Sequence, residues 1–324
     1  MMEFNVIETA LKSCDFASMS SKGHSRRLLH GRGRTFAGFE QVTIDWYPPA
    51  LFVALYRPVE EAFLDKLLAT IKPLIPDTVT LVVQHRQGPS TACDIHGSEL
   101  PKPHVVSELW TGNGSSGQAN EQSMDCYIQL NRSQNVGIFP DMINGRDWVY
   151  RHSAGKKVLN LFAYTCLFSV AAAKGGATSV VNVDMNKSVI STGRKNHQLN
   201  QIDTSNIQFF THNIFNSWGK IKRYGRYDVI VIDPPSFQKG SFVLEKDYKR
   251  LLRQLPQLAN GNAKVMLCVN SPDVGCDFLL EQVEEFCPEL QLEKRLQNHQ
   301  DFPELDSEKS LKVFVFDFCP AFRG

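Results

Sequence analysis

Residues 229–237 read VIVIDPPSF, an apolar run followed by an acid, two prolines, a small hydroxyl residue and an aromatic. The run suits a buried parallel strand, and Pro234 and Pro235 end it by removing backbone donors and fixing φ. Asp233 and its successors then emerge at the strand's carboxyl end, where open α/β sheets bind ligands. A rigid turn of this kind offers main-chain acceptors to a ring or exocyclic nitrogen, and Phe237 offers a stacking face for an extruded base. Asp233, Pro234, Pro235 and Phe237 are therefore candidate catalytic residues, and Asn270, at the end of the next strand in VMLCVNSPD, joins them.

The elements that position these residues follow from periodicity. From residue 137 onward KKVLNLF, TSVVNVD, IQFF, YDVIVID and AKVMLCVN read as strands. Helices alternate with them, one opened by Asn186, one running from about 245 to 258, and one capped by Asp273; LKVFVFDF closes the chain as a last strand. Consecutive parallel strands need such crossovers, so the expectation is an α/β fold with a doubly wound, Rossmann-like sheet. Upstream, QVTIDWYPPALFVALY gives two strand-like runs around Pro48 and Pro49, then a helix over 59–71 and short strands in TVTLVVQHR, VVSELW and CYIQLNR. A glycine- and serine-rich stretch at 111–120 reads as a surface loop. The expected organisation is a basic segment over 1–30, a smaller α+β domain over 31–135 with possible RNA binding, and a catalytic domain over 136–324.

A length of 324 residues fits two domains at about 100 to 200 residues each. The net charge of +1 carries no global basic signature, so affinity for nucleic acid must come from local patches. The dense patch is SKGHSRRLLHGRGR, with Lys22, Arg26, Arg27, Arg32 and Arg34, read either as a solvated, partly mobile segment or as an RNA-contacting arm. Eight scattered cysteines without a CxxC pair, and a start lacking a continuous apolar stretch, fit reduced thiols in a cytoplasmic protein. The most apolar stretch, 158–173, is interrupted by polar residues and is shorter than the roughly 20 residues of a membrane span.

Asp184 ends the second strand of the sheet, where a carboxylate can accept hydrogen bonds from a ribose diol; the plainer reading is a helix N-terminal carboxylate. A dinucleotide site would want GxGxxG after the first strand, and that place holds Asn160, Phe162, Tyr164 and Cys166. S-adenosylmethionine carries no phosphate and needs fewer glycines.

Taken together, VLNLFAYTCLFSVAAAKGGA, VVNVDMN, YDVIVIDPPSF and GIFPDMINGRDWV resemble the S-adenosylmethionine-dependent methyltransferases of the large-subunit ribosomal RNA type, relatives of methyltransferases I and K/L. The resemblance covers roughly 137–318 and extends weakly upstream. It implies a class I fold with strand order 3-2-1-4-5-7-6 and the last strand antiparallel. It also implies S-adenosyl-L-methionine as cofactor, held by Asp141 and Arg146, by Asn160, Phe162, Ala163, Tyr164 and Thr165, and by Asp184, Asn213 and Asp233. Two positions depart from the family: Cys166 stands where a glycine is usual, and Asn213 where an aspartate usually accepts from the adenine amino group.

The target atom turns on the fifth strand. Methylation at cytosine C5 needs a thiolate, whereas methylation of a nitrogen needs positioning alone. Cytosine-methylating relatives carry a cysteine there. Here Asn270 occupies the critical place, and Cys268, two residues earlier, points to the same side, its plainer reading being a buried core cysteine. The expectation is an enzyme that methylates a nitrogen of a ribosomal RNA base, with no metal; the alternatives are cytosine methylation through Cys268, an RNA-binding protein with a degenerate fold, or a small-molecule methyltransferase. Cys93, His96 and His104 lie in a loop-like stretch with zinc-compatible spacing but no fourth ligand. Trp46, Tyr47 and Trp110 could be stacking platforms for single-stranded RNA, although aromatics in strands are more often core, and Arg32, Arg34 and Arg86 would strengthen the RNA reading if they shared a face with them.

Overall fold

The computed structural model describes residues 4–86, 91–113, 119–131, 135–238 and 240–320, in two compact units. The first unit comprises residues 1–141 together with 299–305, and the second comprises 142–298 together with 306–324.

The first unit opens with helices α1 (Asn5–Lys12) and α2 (Phe16–Lys22) and strand β1 (Arg26–His30). Ile7 and Leu11, one helical turn apart, and Phe16 and Leu29 are buried in its core, so residues 5–30 are packed structure and not a separate mobile segment. Then come β2 (Val42–Tyr47), β3 (Ala50–Leu55), α3 (Glu61–Ile71), β4 (Thr80–His85) and β5 (Ala92–His96) in a five-stranded sheet of order β1-β2-β3-β4-β5. Only β3 and β4 are parallel, and α3 supplies the crossover that this pairing requires. Strands β6 (His104–Asn113) and β7 (Ala119–Ile128) form a separate antiparallel ribbon. The loop expected over 111–120 is shorter than that, because pairing continues to Asn113 and Ala119; residues 114–118 lie outside the described residues.

In the second unit, α4 (Ile143–His152) precedes β8 (Lys157–Leu161), α5 (Leu167–Lys174), β9 (Ser179–Asp184), α6 (Lys187–Leu199), β10 (Ile207–Thr211), α7 (Trp218–Arg223) and β11 (Tyr227–Ile232). A short hairpin, β12 (Phe237–Gln238) and β13 (Phe242–Val243), leads to α8 (Leu244–Leu252), α9 (Leu255–Leu258), β14 (Ala259–Val269), α10 (Cys276–Phe286), β15 (Leu290–Arg295) and β16 (Lys312–Phe318). The seven-stranded order is β10-β9-β8-β11-β14-β16-β15, which in strand rank is 3-2-1-4-5-7-6, and β16 runs antiparallel to both neighbours. Ile230, Ile232, Val265, Leu267, Phe314 and Phe316 bury one face against Tyr248, Leu251 and Leu279.

Three readings change. The expected helix over 245–258 is two helices, because Pro256 lacks an N–H and its ring clashes with the preceding turn. Helix α10 starts at Cys276 and not at Asp273; its first N–H donates to the Glu308 carboxylate at 2.6 Å, a partner far along the chain. Strand β15, LQLEKR, escaped the residue pattern because it is an edge strand with four consecutive exposed positions.

Register then builds the site. Leu161 pairs with Val183 and with Ile232, Thr211 with Asp184, and Ile232 with Leu267. The turns after β8, β9, β10, β11 and β14 therefore share one edge, at the point where the order reverses between β8 and β11.

Candidate active site

The turn after β8 is tightly wound. Phe162, Tyr164 and Cys166 adopt φ of 58°, 46° and 60°, left-handed values that cost a side-chain-bearing residue about 1 kcal/mol each. Surrounding bonds fix it: Ala163 N–H donates to Val183 O at 3.1 Å, Cys166 N–H to Ala163 O at 2.7 Å, and Asn196 Nδ2 to Thr165 O at 2.9 Å. Tyr164 N–H donates to Asp184 Oδ2 at 3.0 Å, while Oδ1 accepts from Asn186 N–H at 2.8 Å. The bonds made by Asp184 are those of the plainer reading, a carboxylate at the start of a helix. It anchors the start of α6, and each oxygen keeps a lone pair for a further donor. Burial pushes its pKa up, against the opposing effect of the two backbone N–H groups.

An open cleft of about 260 Å³ lies beside this turn, lined by Phe162, Asp184, Met185, Asn213, Phe215 and Gln238 among others. Phe162 packs edge-on against Phe242 at 5.2 Å, and Phe215 stacks with the same ring at 6.3 Å. Asn213 Oδ1 caps the turn Ile214–Asn216 by accepting from Phe215 N–H at 2.9 Å. Oδ1 thus spends one of its two lone pairs inside the turn and keeps the other for a further donor, and Nδ2 has no partner among the described residues. Such an amide donates to a ring nitrogen where an aspartate would accept. Met185, Phe215, Gln238 and Ser241 were not read from sequence. Met185 could have been, as the neighbour of Asp184, whereas Gln238 and Ser241 reach the cleft only through the β12–β13 hairpin.

Cys166 does not intrude on this cleft. Its side chain is fully buried, its Sγ lies 3.7 Å from Tyr164 O, and it occupies the space left by Gly193 of α6. A Cβ on Gly193 would stand 2.5 Å from that sulfur. The missing glycine at 166 is compensated by one at 193.

Asn160 and Thr165 are buried and do not line the cleft. Asn160 Nδ2 donates to Asn182 Oδ1, Asn182 Nδ2 to Ser169 Oγ, Ser169 Oγ to His197 Nε2, each at 2.9 Å, and His197 Nδ1 to Gly193 O at 2.7 Å. Desolvation pulls the imidazole down to about 4, which keeps it neutral and fixes that tautomer. Asn160 thus belongs to a polar chain tying β8 and β9 to α5 and α6. Arg146 is buried in α4, and Asp141 lies half-buried in the turn Pro140–Met142.

On the neighbouring turns, Pro234 is buried, Asp233 half-buried, and Pro235, Ser236 and Phe237 exposed, with the Phe237 ring 67% accessible. Ser236 Oγ donates to Asn270 O at 2.7 Å, and Leu244 N–H to Ser236 O at 3.1 Å, so the DPPSF segment is pinned to the turn after β14. Asn270 is exposed there. Cys268 is 0% accessible, and its carbonyl accepts from the buried Tyr248 hydroxyl at 3.2 Å. Tyr248 and Cys268 are core, not surface.

The remaining candidates resolve as structure. Trp46, Tyr47 and Trp110 are buried and offer no stacking face. Cys93 and His96 lie in β5 and His104 in β6, on strands either side of the connecting loop 97–103. His104 Nε2 bonds Pro48 O at 2.8 Å, and no group of three ligand-type side chains among the described residues could hold a metal.

A seven-stranded 3-2-1-4-5-7-6 sheet with an aromatic, carboxylate-bearing cleft at its switch point defines the class I S-adenosylmethionine-dependent methyltransferase fold. The chain belongs to the S-adenosylmethionine-dependent methyltransferase family, whose model it matches over residues 26–317. It is 31% identical over 209 residues to ribosomal RNA large subunit methyltransferase I of Aeromonas hydrophila, covering 63% of this chain and 50% of that one. It is 41% identical over 143 residues to methyltransferase K/L of a Psychrobacter species, covering 42% of this chain and 18% of that one. The chain spans about half the length of the first of these relatives. A Streptococcus mutans protein provisionally described as a S-adenosylmethionine-dependent methyltransferase superposes with a TM-score of 0.81 at 26% identity, covering 97% of this chain and 80% of that one. A solved structure with the same figures is a complex with S-adenosylhomocysteine. The cofactor is S-adenosylmethionine. The chemistry of the cleft suits its nucleoside half: aromatic walls, the Asp184 carboxylate, and an amide donor without a partner among the described residues.

Proposed function

We propose that this protein methylates a nitrogen of a base in RNA, with large-subunit ribosomal RNA as the substrate class. The observation that carries the reading is the contrast at the end of β14: Cys268 is sealed in the core, whereas Asn270, two residues on, and Phe237 stand exposed. A thiolate mechanism needs a reachable sulfur, and nitrogen methylation does not. The relatives' names supply the substrate class.

Bound S-adenosylmethionine supplies an electrophilic methyl group on a sulfonium. Asp184, Phe162, Tyr164 and Asn213 would hold its nucleoside, with Ala163, Thr165 and Asn160 fixing the turn and Asp141, Arg146 and Asp233 completing the site. Phe237 stacks on the flipped base, worth about 1–3 kcal/mol. The main-chain carbonyls of the Pro234–Pro235–Ser236 turn and the Asn270 amide hold its polar edge, which aligns the nitrogen lone pair for in-line attack. A ring nitrogen lone pair needs no strong general base.

The reading places the protein in the cytoplasm with its RNA; no helix among the described residues is long and apolar enough to cross a membrane. Its test is transfer of labelled methyl to naked ribosomal RNA, ribosomal subunits and transfer RNA. Label in ribosomal RNA or subunits supports the reading, and label in transfer RNA alone, or in none of the three with cofactor bound, overturns it.

A further inference from the structure

In the basic stretch near the start of the chain, three of the seven basic side chains face acids. Arg26 pairs with Asp301 at 2.9 Å, Arg27 with Asp45 at 2.6 Å, and His30 Nε2 lies 3.2 Å from Glu304. Arg32 is not matched. It is exposed, no carboxylate among the described residues pairs with it, and its guanidinium carbon lies 4.3 Å from the centroid of the Tyr56 ring. Arg86 comes to the same ring at 4.7 Å. Its Nη1 donates to the Tyr56 hydroxyl at 3.1 Å and its Nε to Gln84 at 2.5 Å, again with no acid pairing among the described residues.

Both cations are rigidly mounted. Arg32 sits in the turn Gly31–Gly33, where a Cβ on Gly31 would lie 1.8 Å from Phe39 O and one on Gly33 1.8 Å from Pro303 O. The backbone is wedged on both sides and the residue between faces solvent. Arg34 closes the turn at φ 61°, its N–H on Gly31 O at 2.8 Å. Tyr56 and Arg86 directly follow the parallel strands β3 and β4, and Arg86 N–H donates to Leu55 O at 2.9 Å.

Two guanidinium groups on one ring lie within about 9 Å of each other, inside the Debye length of about 10 Å at 0.1 M salt, so they repel. The ring quadrupole offsets part of that repulsion, and an anion between them would offset the rest. The Arg32 guanidinium lies against the ring with no hydrogen bond or ion pair among the described residues, so its planar N–H fork is free to bind phosphate oxygens in pairs, while Arg86 adds its charge and Nη2. Guanidinium faces also accept stacked bases. The buried tryptophans cannot serve; this arginine–tyrosine–arginine cluster can.

We propose that Arg32, Tyr56 and Arg86 form a docking site on the first unit for the phosphodiester backbone of single-stranded RNA. The proposal rests on the RNA reading above and assigns that unit its part in it.

The test uses the full chain, fluorescein-labelled oligouridylate and fluorescence anisotropy across a salt series, for wild type, Arg32→Gln and Arg32→Gln/Arg86→Gln. Arg32→Gln removes an exposed group and keeps the fold, which protects the test should the double variant misfold. The expected result is a slope of log affinity against log salt that falls by about 0.7 in the single variant and about 1.4 in the double, with weaker binding. S-adenosylmethionine binding by calorimetry stays at the wild-type level. Wild-type binding with an unchanged slope in Arg32→Gln overturns the docking site and leaves the RNA reading standing. The expected slopes with no methyl transfer to any RNA support the docking site and sink the transfer reading. No binding of oligouridylate by wild type, or preference for phosphatidylserine vesicles over RNA, overturns the docking site.

Discussion

The packing of Cys166 against Gly193 yields the sharpest prediction. A methyl group added at Gly193 would lie 2.5 Å from Cys166 Sγ, 2.9 Å from its Cβ and 3.3 Å from Thr165 O. Rotating the thiol does not relieve the Cβ contact, and Cys166 is fully buried, so the turn itself must move. Overpacking of this kind costs about 1–3 kcal/mol, while alanine for glycine inside a helix gains up to about 1 kcal/mol. Gly193→Ala should therefore destabilise the protein by about 1–2 kcal/mol, lowering Tm by roughly 2–4 °C per kcal/mol. It should also weaken S-adenosylmethionine binding, because Tyr164 and Ala163 are carried on that turn. Cys166→Gly alone should be close to neutral: a buried thiol is lost, and the strain of φ 60° is relieved by about 1 kcal/mol. In the Cys166→Gly background the sign reverses, and Gly193→Ala should stabilise. Thermal unfolding and cofactor calorimetry on the four proteins give a coupling energy of about 2 kcal/mol if the contact is as described. Additivity of the two changes, or a stabilising Gly193→Ala on its own, would refute the reasoning.

Cys268→Ala should keep methyl transfer within about twofold and cost about 1–2 kcal/mol of stability through a small cavity, measured by rate assay and urea unfolding; a tenfold loss of transfer with intact fold would contradict it. Phe237→Ala should leave Tm and cofactor affinity unchanged and cut kcat/KM for RNA by about fivefold to two-hundredfold, the equivalent of a stacking energy of about 1–3 kcal/mol. Asp184 gives opposite pH signatures. Its raised pKa means that the folded state holds its proton more tightly, so the stability it contributes is full in acid below the ordinary aspartate range and is lost as pH rises through the raised value. Cofactor affinity, which needs the carboxylate as acceptor, rises over the same window, and Asp184→Asn should flatten both curves in unfolding and binding titrations. Lys312→Met should lower stability by about 3 kcal/mol or more, because the buried ammonium bonds Ser271 O at 3.0 Å, Glu308 O at 2.7 Å and Ser310 O at 2.8 Å and would leave three carbonyls unmet.

What could be read from the chain was what local pattern encodes. The β-branched runs ending in Asp184 and Asp233 announced two parallel strands and the turns beyond them, and Asn186 declared the start of α6 by its capping chemistry, accepting from Ser188 and Val189. Elements held by distant partners were not legible. The arginines near the start looked like a free basic arm because Asp301, which pairs with Arg26, lies 275 residues away. Cys166 looked like an obstruction because nothing local says that Gly193 makes room for it. That Asn213 also caps its own turn through Phe215 N–H was not legible either. β15 carried no apolar face to detect, being the outer strand of the sheet. Burial followed the plainer readings: Trp46, an aromatic in a strand, and Cys268, a thiol in an apolar run, are both core, and the packing closes the stacking and nucleophile alternatives.

The central claim is transfer to a base nitrogen without a cysteine nucleophile. Its most direct test is reaction of the protein with ribosomal RNA and labelled S-adenosylmethionine, digestion to nucleosides and mass spectrometry. A nucleoside methylated on nitrogen, formed equally well by Cys268→Ala, is the expected product; 5-methylcytidine that disappears in that variant would contradict the claim.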